Sequence, residues 1–254
     1  MKLFDLDGRV ALVTGGNGGI GYGMAEGLAA AGAAVVIAGR NAEKNEAALR
    51  RLGEAGHRAA QIIADVTDEA ACQAMVAATV ERYGRLDILV NNAGTNIRKQ
   101  PEDYAMAEWN LIIATNLSSA FMAAQAAYPA MRRIGAGKVI NIGSMMSIFG
   151  ASFTTPYAAS KGGIVQMSRA LACAWAKDNI QVNAVLPGWI DTDLTKRARR
   201  DVAALEERVT ARTPAGRWGL PSDLAGIAVF LASPASDFVT GTAIPVDGGY
   251  SIQG

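Results

Sequence analysis

Apolar residues along the chain fall into two alternating kinds of run. Short runs dense in Val, Ile and Leu come at RVALVT, AVVIAG, AAQIIA, LDILVN, KVINIG, IQVNAVL and TAIPVD. Between them lie longer Ala-rich stretches of helical pattern: GIGYGMAEGLAAAG, AEKNEAALRRLGEAG, DEAACQAMVAATVERYG, the span Pro101–Met131, YAASKGGIVQMSRALACAWAKD and PSDLAGIAVFLAS. A strand that is apolar at almost every position has no solvent face, so it belongs in a sheet covered on both sides. Strands alternating with helices supply that cover through parallel crossovers. The pattern predicts an α/β fold, a doubly wound parallel sheet of about seven strands with helices on both faces, in a single domain over residues 1–254. The stretch from about Gly188 to Gly219 has no strand pattern and carries many charges. It is long for a connection, and long connections in such folds tend to be lids or binding loops, so a substrate loop is expected there.

Composition removes several alternatives. With 254 residues and half of them hydrophobic, the chain can bury a sizeable core. A net charge of +1 gives no electrostatic case for a nucleic-acid partner. The one strongly basic run, TKRARRD, is read as a solvated helix face, with a phosphate or carboxylate contact as the second reading. Two distant cysteines, Cys72 and Cys173, argue against a disulfide framework or zinc site and suit a reducing compartment. The N-terminal MKLFDLDGRV lacks the apolar run of a signal peptide. Apolar stretches are interrupted before about 18 residues, so no membrane span is expected and the cytoplasm is the expected location. The single histidine, His57, falls at a turn; zinc-dependent alcohol chemistry and a Ser-His-Asp triad therefore have no parts to build from.

TGGNGGIGYG follows the first strand pattern and opens the first helix. Gly15, Gly19 and Gly21 stand where the chain must turn sharply and present bare N–H groups, and the helix start adds a positive dipole end. In the first βα unit this points to a dinucleotide phosphate, with a merely tight turn as the bland alternative. The second strand ends VVIAGRN. Gly39 holds the place where an acid would accept from the ribose 2′-OH of NAD, and Arg40 follows it. A missing acid beside a guanidinium favours a 2′-phosphate, so NADP is the expected cofactor. If Arg40 instead stacks on adenine or points to solvent, NAD is usable. Asp65 in ADVTD either accepts from the adenine amino group or caps the following helix.

The stretch TTPYAASKGG sets Tyr157 four residues before Lys161, on one face of a helix. Alone, that spacing is ordinary for a helix surface. It also suits proton transfer to a ketone oxygen during hydride chemistry, because an ammonium and a positive nicotinamide ring lower the phenol pKa. Ser144, in NIGSMMS, would hold the carbonyl oxygen by a hydrogen bond. The glycine loop, NNAG at 91–94, NIGSMMS, YAASK and LPGWIDT occur in order at strand ends, and together they resemble the short-chain dehydrogenase/reductase family over nearly the whole chain. The resemblance implies a Rossmann-like fold and an NAD(P)-dependent oxidoreductase interconverting a secondary alcohol and a ketone. It implies Tyr157 as acid/base, Lys161 also on the nicotinamide ribose, and Asn116 holding a relay water. It implies a cofactor site built from Gly15, Asn17, Gly19, Ile20 and Gly21, with Arg40, Asp65 and Val66 at the adenosine end. Asn92, Ala93 and Gly94 continue that site, and Pro187, Gly188, Ile190 and Thr192 clamp the nicotinamide.

The run NNAGTNIRK is most similar to the gluconate 5-dehydrogenase and 2-deoxygluconate 3-dehydrogenase branch, which implies a sugar-acid or polyol substrate. Arg98 and Lys99 are candidates to grip a carboxylate, equally readable as exposed loop charges, and Met145 is a candidate substrate contact. Tropinone-type ketone reduction and 3-oxoacyl carrier-protein reduction are the alternatives. The latter needs a basic docking face, for which Arg132 and Arg133 are available but Asp178 is adverse. A non-catalytic nucleotide-binding regulator is the reading from another class, disfavoured because Ser144, Tyr157 and Lys161 are all present. The resemblance also implies a homotetramer.

Overall fold

The computed structural model describes residues 2–253. Its strands are β1 (Val10–Thr14), β2 (Ala34–Gly39), β3 (Ala59–Ile63), β4 (Ile88–Asn91), β5 (Gly137–Ile142), β6 (Ile180–Pro187) and β7 (Ala243–Val246). They form one seven-stranded sheet in the order β3-β2-β1-β4-β5-β6-β7, with every pairing parallel. The chain winds outward from β1 in one direction, then returns to start again at β4. That reversal opens a crevice beyond the strand ends between β1 and β4, where ligands bind in such sheets.

Helices cover both faces as the apolar strands require. α1 (Gly19–Ala30), α2 (Ala42–Glu54) and α9 (Ala225–Ala232) flank one side. Leu28, Leu52 and Leu231 there pack with Val13, Ile37 and Val90. α3 (Glu69–Tyr83), α5 (Ser119–Ile134) and α6 (Thr155–Trp175) flank the other. Met75 and Met131 there pack with Leu12, Leu89 and Val139. Local signals set the ends. Asn41 caps α2 by accepting from the Lys44 N–H at 2.8 Å, and Asp68 caps α3 by accepting from Ala70 at 2.9 Å. Gly84 and Gly135 end α3 and α5 with φ of 78° and 73°.

A polar row crosses the buried sheet at its functional end, where Thr14, Asn91 and Asn141 lie side by side in register. Asn91 donates to Asn141 Oδ1 at 2.8 Å and to the Ala120 carbonyl at 3.1 Å; Asn141 donates to Ser168 Oγ at 2.9 Å. Asn91 Oδ1 has no partner among the described residues, but the amide N–H bonds of the row tie α5 and α6 to the strand ends that carry the site.

Two stretches differ from their sequence patterns. The span Pro101–Met131 is not one helix: a short turn at Pro101–Asp103 precedes α4 (Met106–Ile113), and a π-type turn, Ala114–Ser118, joins it to α5. The apolar pattern runs through because the π turn adds a residue without breaking the helical path. The stretch from 188 to 219 carries two helices, α7 (Asp193–Asp201) and α8 (Leu205–Arg212). Its ends are tied together, Asp191 N–H to the Gly219 carbonyl at 2.8 Å and Gly219 N–H to Trp189 at 2.9 Å.

Candidate active site

The crevice holds a cleft of about 380 Å³ that runs from the glycine loop to Ser144 and Tyr157 and is roofed by the start of α7. At its first end Gly15 and Gly19 have φ of 63° and 51°, which only glycine adopts freely. Gly21 does not line the cleft; a side chain there would collide with the Gly15 carbonyl and the Asn92 amide. Its role is close packing of helix on loop. Asn92 holds that loop from behind, donating to the carbonyls of Thr14 and Gly15 at 3.1 Å each. Asn17, Gly19, Ile20, Ala93 and Gly94 all line the cleft. Bare N–H groups at a helix start, with no side chain filling the space at Gly18, fit a dinucleotide pyrophosphate.

At the adenosine end the structure sharpens the reading of Gly39. A side chain there would meet Asn17 Nδ2 at 2.5 Å and Asn45 Oδ1 at 2.9 Å. Asn45 is fully buried; it accepts from Asn17 at 2.6 Å and donates to the Gly39 carbonyl at 2.9 Å. An acid reading a ribose 2′-OH from this position would have to displace both amides. Arg40 is two-thirds exposed and reaches Asp65 at 3.5 Å. Asp65 does not cap α3, since Asp68 does. It accepts instead from the N–H and hydroxyl of Thr67 at 3.0 and 2.7 Å, which with nearby Arg40 hold its carboxyl below the ordinary range. Val66 is buried in the core under α3 and does not line the cleft.

At the other end β5 delivers Ser144, and the first turns of α6 deliver Tyr157 and Lys161. Ser147 bonds this group together: its hydroxyl donates to the Lys161 carbonyl at 2.7 Å and accepts from the Ser144 N–H at 3.2 Å. Lys161 is 4% exposed, and its ammonium donates to the Ile142 carbonyl at 2.7 Å, 5.7 Å from the centre of the Tyr157 ring. Burial pulls the Lys161 ammonium down to about 8. Burial likewise raises the Tyr157 phenol, against lowering by its hydrogen bond with Ser144 and by the Arg98 charge. The sequence expectation of a lowered phenol counted the nicotinamide's positive charge together with that of Lys161. In the protein alone desolvation wins, and the opposing charge comes from Arg98.

Asn116 sits in the π turn, buried behind the cleft rather than on its wall. Its side chain accepts from the Thr95 N–H at 2.7 Å and donates to the Thr95 carbonyl at 2.9 Å and Ser160 Oγ at 3.1 Å. Ser160 in turn donates to the Tyr157 carbonyl at 2.7 Å. The extra π-turn residue is what aims Asn116 inward, and such turns often mark functional sites.

The roof is formed by Pro187, Gly188, Ile190 and Thr192. Thr192 caps α7 and lies across the cleft from Gly19. Lys44 of α2 bonds Asp193 at 3.1 Å, so the mouth is bridged by charge. The basic run of α7 is only partly a solvated face, because Arg199 stacks 4.0 Å over Trp218 and pairs with Asp191 at 3.1 Å. Arg98 and Met145 line the cleft. Lys99 does not; it pairs with Glu108 at 2.6 Å. Asn45, Ser147 and Ser160 escape sequence reasoning, since a lone buried Asn or Ser carries no pattern of its own. Trp189, Phe153 and Asn96 line the cleft beside motif residues, and proximity was their only signal.

Against known proteins, the family model described as Enoyl-(Acyl carrier protein) reductase matches residues 15–251. The chain is 41% identical to a 2-dehydro-3-deoxy-D-gluconate 5-dehydrogenase from Dickeya dadantii, covering 98% of each. It is 40% identical to a gluconate 5-dehydrogenase from Gluconobacter oxydans, covering 99% of this chain and 98% of that one. A solved gluconate 5-dehydrogenase from Burkholderia cenocepacia, in complex with NADP and tartrate, superposes with a TM-score of 0.94 at 42% identity, covering 100% of this chain and 99% of that one. Likeness of this depth over almost every residue leaves one conclusion: the chain belongs to the short-chain dehydrogenase/reductase family.

Proposed function

We propose that this protein is an NADP-dependent dehydrogenase that interconverts a secondary alcohol of a sugar acid and the corresponding ketone, of the gluconate 5-dehydrogenase or 2-deoxygluconate 3-dehydrogenase type. One observation carries the sugar-acid part. Arg98 faces the catalytic cleft with its side chain only 15% exposed, and its guanidinium makes no hydrogen bond among the described residues. A guanidinium has five donors, so this one is prepared for an anion, and a substrate carboxylate supplies it. The tartrate bound by the Burkholderia relative, a hydroxy acid, supports the same class.

In this reading Pro187, Gly188, Ile190 and Thr192 would hold the nicotinamide of NADP, which would supply or accept the hydride. Ser144 donates to the substrate oxygen, and Tyr157 gives that oxygen a proton in reduction and removes it in oxidation. Lys161 holds positive charge beside the phenol and reaches the ribose, and Asn116 holds the relay water. The segment 188–219 is the substrate loop of a single domain. NADP is preferred because Gly39 leaves no acid at the end of β2 to repel a 2′-phosphate and Arg40 meets that phosphate. Incubating the protein with NADP and gluconate, or NADPH and 5-ketogluconate, tests the reading by absorbance; no turnover of any sugar acid would sink it. Carrier-protein reduction is disfavoured, since Arg132 leans on Asp178 at 3.7 Å and Asp178 also accepts from the Tyr128 hydroxyl.

Arg40→Ala is expected to weaken NADPH binding about tenfold, less than a buried charge-assisted bond because Arg40 is exposed. NADH binding should change little. Equal losses in fluorescence titrations of the two cofactors would remove Arg40 from 2′-phosphate recognition.

The protein is further proposed to act as a homotetramer in the cytoplasm. Met106, Leu111 and Phe121 are exposed on α4 and α5, and Phe238 and Ile252 near β7, apolar surface of the kind that interfaces cover. Among the described residues no helix is long and apolar enough to cross a membrane.

A further inference from the structure

A second cavity, of about 520 Å³, lies beyond Arg98 and shares that residue, Asn96, Phe153 and Leu194 with the catalytic cleft. Its wall is charged. Arg98, Lys99 and Arg197 contribute cations, and Asp201 is the one acid lining it. Asn96 Oδ1 is buried there with no hydrogen-bond partner among the described residues.

The contact between Arg98 and Asp201 is peculiar on both sides. For Arg98, a largely buried guanidinium, the carboxylate of Asp201 at 3.8 Å is its one ion-pair partner among the described residues, and the separation is too long for a hydrogen bond. Asp201 is the last residue of α7, where the helix dipole disfavours negative charge. Within the helix only Arg197, four residues back on the same face, offers an acid there a cation, and it makes no ion pair with Asp201 among the described residues, whereas Arg98 does. The pair is therefore loose, exposed at its Asp201 end, and anchored in the roof of the cleft.

We propose that the side cavity is the subsite for the carboxylate end of the substrate, and that Asp201 is an internal competitor that the substrate's carboxylate displaces from Arg98. The ligand class rests on the sugar-acid reading above. Binding then exchanges one carboxylate for another on the same guanidinium: Asp201 swings to water, where it is already half exposed, and the substrate's carboxylate takes the better-buried place. Asp201 thus sets how strongly an anion must bind to be accepted. A neutral polyol gains nothing from Arg98, and a weak anion loses to Asp201, which makes the residue a determinant of specificity.

The test uses L-tartrate as the probe, titrated by calorimetry into the full-length protein loaded with NADP. Asp201→Asn is expected to bind tartrate about three- to fivefold tighter than wild type, the range set by a half-exposed ion pair. Asp201→Glu should stay close to wild type, and threitol, the same carbon skeleton without carboxylates, should gain nothing in either variant. Unchanged or weaker tartrate binding by Asp201→Asn overturns the proposal, as does an equal gain for threitol or no tartrate binding by any of the three proteins. Turnover of gluconate is read separately. If wild type oxidises no sugar acid while Asp201→Asn tightens tartrate, the assigned substrate is wrong and the carboxylate subsite stands.

Discussion

Replacing Tyr157 with Phe is expected to lower kcat by about 10²–10⁴-fold, the range for removing a positioned acid/base, with NADPH binding nearly unchanged. The phenol oxygen is the only part of the side chain lost, and the ring remains packed at the start of α6, within the cleft. The pH dependence should change with the rate. Oxidation needs the phenolate, and burial raises the Tyr157 pKa in the protein alone. In wild type, alcohol oxidation therefore climbs with rising pH as the phenol loses its proton, while ketone reduction, which needs the protonated phenol, falls. The residual rate of Tyr157→Phe should lack that climb. Progress curves from about pH 6 to pH 10 measure both. A variant that keeps the wild-type rate and slope would mean that another group moves the proton.

How much of this was legible beforehand depends on whether a residue works through a pattern or through a neighbour distant in sequence. The seven strands and their parallel, doubly covered sheet followed from apolar runs, because burial on both faces leaves its mark at every position. The places of Ser144, Tyr157 and Lys161 followed from spacing, since one strand end and one helical turn fix them. Asn45 did not follow. Its bond to Asn17 beside Gly39 joins residues 28 apart in sequence, and only the packing reveals that a side chain at Gly39 would have to displace both amides. Lys99 looked equivalent to Arg98 in sequence, yet Glu108 holds it outside the cleft while Arg98 lines it. Both line the side cavity, but only Arg98 also reaches the catalytic cleft, and without the loop's path the sequence does not say which of two adjacent cations does so. The π turn around Asn116 was likewise hidden, since one extra residue in a helix scarcely disturbs its apolar period.

Lys161→Met should move activity and stability in opposite directions. Activity is expected to fall about 10²–10³-fold, because the charge beside the phenol and the ribose contact both disappear. Stability is expected to rise near neutral pH. Burial holds the folded-state pKa of Lys161 at about 8, against roughly 10.4 in the unfolded chain. Below pH 8 the folded protein must carry a desolvated ammonium, a cost of about 3 kcal/mol by linkage. Between about pH 8 and 10.4 the unfolded chain binds more protons at this residue than the folded one does, so wild-type stability gains with pH there and the cost fades. Methionine removes the cost but leaves the Ile142 carbonyl without its 2.7 Å donor, which returns about 1–3 kcal/mol. The net gain is therefore about 1 kcal/mol at pH 7 and should vanish or reverse by about pH 9.5. Denaturant midpoints of the cofactor-free proteins at pH 7 and pH 9.5 provide the check. A Met variant less stable than wild type at both would mean that the bond to Ile142 outweighs the cost of burying the ammonium.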